Sequence, residues 1–141
     1  MKRYIIDANV LFSMFISGRE EYLRLIKRVK FLTPDYAMSE LQEHQELILD
    51  KTKLQKEELA NYTLDILNDV LVVPNFLITT QSYLQAYNWC KDIDLDDMVY
   101  IALSIEFDTC FVTRDMILYE GLKQKGYSNI MAWKDFLDEY L

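Results

Sequence analysis

The sequence predicts an α/β fold built on a five-stranded parallel sheet. Five short apolar runs, at residues 4–6, 29–32, 71–73, 110–112 and 129–131, alternate with segments of helical pattern. That alternation calls for a parallel sheet with right-handed crossovers. Glycine and proline are scarce, at three and two residues, which suits a compact, helix-rich domain. Acidic residues also close two of the runs, Asp7 after the first and Asp115 after the fourth.

Taken in order, Tyr4 to Ile6 reads as a short buried strand. Residues 9–16 and 19–29 read as helix, interrupted near Ser17-Gly18. Val29 to Leu32 makes the second strand. Thr33-Pro34-Asp35 then starts a helix running to about Leu49, with the proline near its first turn. A second long helix covers 52–69, because Leu59, Tyr62, Ile66, Leu67 and Val70 recur at intervals of three or four. Leu71-Val72-Val73 is a strand closed by Pro74. A helix covers 80–90. The next, 95–107, is apolar almost all round and is expected to be buried. Cys110 to Val112 is a strand, Asp115 to Lys125 a helix, Asn129 to Met131 the last strand, and 133–141 a closing helix.

The length of 141 residues fits one domain, 1–141. No segment approaches the roughly 20 apolar residues of a membrane span. The start, MKRYIIDANVLF, does not read as a signal peptide, because Asp7 interrupts the apolar run and no small-residue cleavage site follows. Cys90 and Cys110 are far apart and flanked by apolar residues. Free, buried thiols of a cytoplasmic protein are the expectation. The net charge of −8 argues against long, nonspecific duplex binding. Basic residues do cluster, at Arg19, Arg24, Lys27, Arg28 and Lys30 and again at Lys51, Lys53 and Lys56. Solvated helix faces account for both groups.

Four carboxylates stand out by position: Asp7, Glu40, Asp97 and Asp115. In open parallel sheets the site lies at the carboxyl ends of the strands, where strand order reverses. Asp7 and Asp115 stand at two such ends. Each also has a plain structural reading as a helix N-cap, as does Asp97 at the start of its helix, while Glu40 alone reads as a solvated helix residue. Converging carboxylates repel unless a cation lies between them, and oxygen ligands suit a hard divalent ion. Asp92, Asp94, Asp96 and Asp97 form a dense acidic loop. It lacks the glycine and terminal glutamate of an EF-hand. Asp96 reads as solvated, and Asp94 equally as solvated or as a further ligand. His44, the only histidine, makes a poor zinc site by itself.

The segments IIDANVLF, SELQEH, DLDDMVYIALS and VTRD, in this order and spacing, resemble the PIN domain, the ribonuclease fold of VapC-type toxins. The resemblance covers nearly the whole chain. It implies a three-layer α/β/α sandwich around a five-stranded parallel sheet. It maps the family's acidic site onto Asp7, Glu40, Asp97 and Asp115, with Asn9 and Thr113 as supporting polar positions. It also implies Mg²⁺ or Mn²⁺, cleavage of single-stranded RNA, a homodimer and, for toxin members, a small antitoxin protein as partner.

Metal-dependent phosphodiester hydrolysis needs no histidine, which fits a chain with one. On this reading Asp7, Asp97 and Asp115 hold the metal, with Asp94 as a candidate ligand. Glu40 holds a second ion or orients water. Two other classes remain open. One is a phosphatase or phosphoacceptor enzyme with Asp7 as nucleophile; Asn9 then stands where a second Asp is usual. The other is a non-catalytic binding module that keeps the PIN-like fold.

Overall fold

A computed structural model describes all 141 residues. Its five strands are β1 (Arg3–Ile6), β2 (Lys30–Pro34), β3 (Leu71–Val73), β4 (Cys110–Thr113) and β5 (Ile130–Ala132). All are parallel, in the order β3-β2-β1-β4-β5. The chain builds outward from β1 through β2 to β3, then crosses back to lay β4 on the other side of β1. The order therefore reverses between β1 and β4, and Asp7 and Asp115 follow those two strands. The expected α/β fold and the placement of both acids at the reversal are borne out.

Nine helices cover the sheet: α1 (Ala8–Ser17), α2 (Glu20–Arg28), α3 (Tyr36–Glu43), α4 (Gln45–Lys51), α5 (Lys56–Asp69), α6 (Thr80–Cys90), α7 (Met98–Phe107), α8 (Met116–Gln124) and α9 (Trp133–Tyr140). Alternate strand residues feed two cores, as the period of two demands. Tyr4, Ile6, Phe31 and Val112 pack with α1, α2, α5 and α9. Ile5, Leu32 and Phe111 pack with α6, α7 and α8. As its composition predicts, α7 is buried continuously from Tyr100 to Ser104.

Several boundaries differ from the sequence reading. The helix expected over 35–49 breaks at His44 into α3 and α4. The apolar stripe lapses over Gln42-Glu43-His44-Gln45-Glu46, so nothing holds one straight axis against the core, and α4 has no buried residue. The helix expected from 52 starts at Lys56, where Gln55 and Glu58 form a reciprocal capping box. The preceding stretch is instead tied to the end of α1: Thr52 donates to the Phe15 carbonyl at 2.8 Å and Lys53 N to Ile16 O at 2.9 Å. Gly18 ends α1 in the left-handed region, at φ 61°, with the Leu54 side chain packed where a Cβ would lie. The helix expected from 95 begins with a 3-10 turn at Leu95–Asp97, and α7 proper starts at Met98.

Pro34 is the last residue of β2, not part of a helix. Lys30 N donates to Lys2 O, so steps of two along the ladder bring position 34 to Ile6 O. Proline has no N–H to give there. The buried Thr33 hydroxyl donates to Ile6 O instead, at 2.8 Å, and satisfies the carbonyl directly before Asp7.

Arg24, Lys27 and Arg28 lie on the solvated face of α2, and Lys51 and Lys56 are exposed on α4 and α5. Arg19 and Lys53 are exposed outside the helices, whereas Lys30 is a partly buried residue of β2 that donates to the Asp69 carbonyl. Arg19 pairs with Glu21, Arg24 with Glu20 and Lys27 with Asp69. Both cysteines are free, Cys90 buried and Cys110 partly so. No helix is long and apolar enough to cross a membrane.

Candidate metal centre

Asp7 ends β1 and caps α1. Its Oδ1 accepts from Val10 N at 3.0 Å, and its Oδ2 accepts from the Thr113 hydroxyl at 3.0 Å. The residue is 2 % exposed. Burial raises its pKa to about 6 against the lowering effect of these two hydrogen bonds, and the charges of Glu40 and Asp115 push the same way as burial.

Asp115 follows β4 and caps α8 by accepting from Leu118 N at 3.0 Å through Oδ1. Its own amide donates to Thr113 Oγ1 at 3.0 Å. Thr113 is fully buried. One hydroxyl thus locks the two acid-bearing strand ends together.

Asp97 stands at the N-cap position of α7, yet its side chain makes no capping bond. Both oxygens are uncommitted. Burial pushes its pKa up to about 7, helped by the charges of Asp7, Asp94, Asp115 and Glu40. Asp94 accepts from Asp96 N at 2.9 Å through Oδ1, which folds the acidic loop back on itself. Asp94, Asp97 and Asp115 each present a carboxylate oxygen, all within 4.8 Å of one another. Asp96 is exposed and outside this group.

Glu40, on α3, is half-buried, and its Oε1 accepts from the Tyr100 hydroxyl. Burial raises its pKa more than this hydrogen bond lowers it. The Tyr100 hydroxyl also accepts the Ala8 amide at 3.2 Å, and its ring stacks on Phe111 at 5.5 Å. Tyr100 therefore ties α3 to the start of α1. Sequence reasoning missed it. The available signal was a single phenol inside the most apolar helix, where a buried hydroxyl needs a partner. Asn9 is exposed on the first turn of α1, and no intramolecular hydrogen bond holds its side chain. His44 is exposed against the edge of Phe12, at 5.9 Å.

The tight group is thus Asp94, Asp97 and Asp115. Asp7 and Glu40 stand outside it, close enough for their charges to act on Asp97. No lysine or arginine pairs with any of these acids. An all-oxygen set without an internal counter-charge fits a hard divalent cation.

The sequence pattern of the PIN domain matches residues 5–134, from β1 into the start of α9. The chain belongs to the PIN domain family. PIN domains are generally nucleases that act on RNA and typically use divalent metals. No curated protein matches this PIN domain. The matched span takes in the reversal of strand order between β1 and β4 and the two acids, Asp7 and Asp115, that follow those strands.

Proposed function

We propose that this PIN domain is an endoribonuclease that cleaves single-stranded RNA using Mg²⁺ or Mn²⁺. The observation that carries this is the convergence of Asp94, Asp97 and Asp115 within 4.8 Å with no cationic side chain among them. These three would hold the ion, with Asp7 as a further oxygen outside the group. Bound there, the ion supplies charge neutralisation at the scissile phosphate and a water made acidic enough to attack near neutral pH.

The remaining work falls to the chain. Tyr100 holds Glu40 by one oxygen, so the other is left to orient water and take its proton. Thr113 fixes Asp7 and the Asp115 backbone in one frame. A cleft of about 770 Å³ next to Thr113 is lined by Arg114 and Lys134, both exposed and outside every ion pair. They are placed to meet phosphates of a bound strand, on a lining that also carries Asp135 and Asp138.

Asp7 makes a poor nucleophile for phosphoenzyme formation, since it is buried and both oxygens accept hydrogen bonds. The family resemblance adds a homodimer and, if the chain is a toxin, an antitoxin protein. Sedimentation across micromolar concentrations tests the dimer. The activity is tested on a panel of single-stranded RNAs and DNAs with Mn²⁺. The reading expects RNA products with 5′-phosphate and 3′-hydroxyl ends. A 2′,3′-cyclic phosphate would mean attack by the ribose and overturn it.

A further inference from the structure

A second cleft, of about 630 Å³, opens on the β3 side of the acids, opposite the Arg114 cleft. Asp35, Tyr36, Asn75, Tyr83, Leu95 and Asp96 are among its lining residues. Asp96 belongs to the acidic loop that carries Asp94 and Asp97. The Tyr36 ring packs against the Tyr100 ring at 6.3 Å, and Tyr100 holds Glu40. The cleft therefore adjoins the proposed metal centre.

Its chemistry differs from that of its neighbour. Tyr36 and Leu95 leave apolar surface open, at 42 % and 48 % exposure. No cation lines the cleft, and two carboxylates do, so a phosphate would be repelled while an uncharged ring would not. The polar edge is held in place. Asp35 Oδ2 accepts from the Asn75 backbone N–H at 3.2 Å, which leaves Oδ1 free. The Tyr83 hydroxyl donates to Asn75 Oδ1, which leaves the Asn75 NH₂ free to donate. A free acceptor thus stands beside a free donor next to an open aromatic face. Single-stranded RNA is read in this way, by stacking on aromatics and by hydrogen bonds to base edges.

We propose that this cleft holds one unpaired base of the RNA strand next to the scissile phosphate, with Tyr36 as stacking platform and Asp35 as reader of its N–H donors. The proposal rests on the nuclease reading above and names its specificity site. A carboxylate only accepts. Guanine presents two adjacent N–H donors beside a carbonyl oxygen, which suits Asp35 together with the Asn75 NH₂. Uracil presents one N–H beside a carbonyl oxygen, so it meets the same two groups with one hydrogen bond fewer and a smaller ring to stack.

The test uses affinity, read with Ca²⁺ as a hard cation in place of Mg²⁺ or Mn²⁺. Labelled single-stranded RNAs identical except for one guanine or uracil are titrated with the full-length wild type and variants. The wild type should prefer the guanine strand. Tyr36→Ala should weaken binding roughly 5- to 150-fold, the span of one base stack, and Tyr36→Phe should recover most of that loss. Asp35→Asn offers an amide where an oxygen stood, and should shrink or invert the guanine preference. The rise in melting temperature caused by Mn²⁺ should persist in Tyr36→Ala, which separates loss of the base from loss of the metal. Equal binding of the two strands by the wild type, or unchanged affinity in Tyr36→Ala, overturns the base site. Absence of RNA cleavage by the wild type at any sequence overturns the nuclease reading instead, and leaves the affinity pattern to judge the cleft separately.

Discussion

The Thr113 hydroxyl donates to Asp7 Oδ2 at 3.0 Å across 106 residues of chain, and both groups are buried. Thr113 Oγ1 also accepts from the Asp115 backbone N–H at 3.0 Å. Replacing Thr113 by Val keeps the shape and removes both bonds. A buried carboxylate that loses a hydrogen bond is costly. Thr113→Val is expected to lose about 2 kcal/mol of stability in urea unfolding. Activity should fall more than the unfolded fraction explains, because Asp7 and Asp115 lose their shared anchor.

The metal-free protein should show an unusual pH profile. Asp7 and Asp97 have folded pKa values of about 6 and about 7, both above the ordinary 3.8. Between these limits the folded state binds more protons than the unfolded state, so their contribution to stability falls as pH rises. It is greatest below about pH 4 and is lost by about pH 7. Asp97→Asn removes one of the two groups. The stability difference, variant minus wild type, should therefore grow in the variant's favour from pH 4 to pH 7. A flat difference across that window would contradict the crowding of these acids.

Tyr100→Phe tests the anchoring of Glu40. The variant loses the hydrogen bond to Glu40 and the acceptor for Ala8 N. Stability should drop by about 1 kcal/mol. Because Glu40 stands outside the tight group, the Mn²⁺-induced rise in melting temperature should be retained. kcat should fall with little change in KM, as steady-state kinetics would read.

Arg114→Ala and Lys134→Ala test the strand's path through the cleft beside Thr113. Removing a side chain that neutralises one phosphate should reduce the slope of log affinity against log salt by about 0.7 for a single strand. An unchanged slope in both variants would place the phosphates elsewhere.

Much of this molecule was legible in its sequence because the strands are short, apolar and well separated. Asp7 and Asp115 could be placed because a charge next to a buried strand in a parallel sheet has few places to go. Asp94 was left open because loop acids follow no periodicity; only the turn that binds Asp94 to Asp96 N brings it inward. Asp97 read as a cap from its position, yet its side chain is uncommitted, a distinction that lies in a rotamer and not in spacing. Tyr100 and Thr33 were missed because each answers a tertiary need, a glutamate on another helix and a carbonyl left by a proline. The break at His44 followed from an apolar pattern too sparse to hold one axis.

In the proposed mechanism the Asp94–Asp97–Asp115 group holds the ion on which cleavage depends. The most direct measurement is calorimetric titration of Mn²⁺ into wild type and Asp97→Asn, paired with RNA cleavage with and without excess chelator. The account predicts Mn²⁺ binding and chelator-sensitive cleavage in the wild type. In the variant it predicts both lost, with metal-free stability equal or higher, since Asp97 makes no capping bond that Asn would weaken. Undiminished cleavage in chelator, or a variant that binds Mn²⁺ and cleaves as the wild type does, would contradict it.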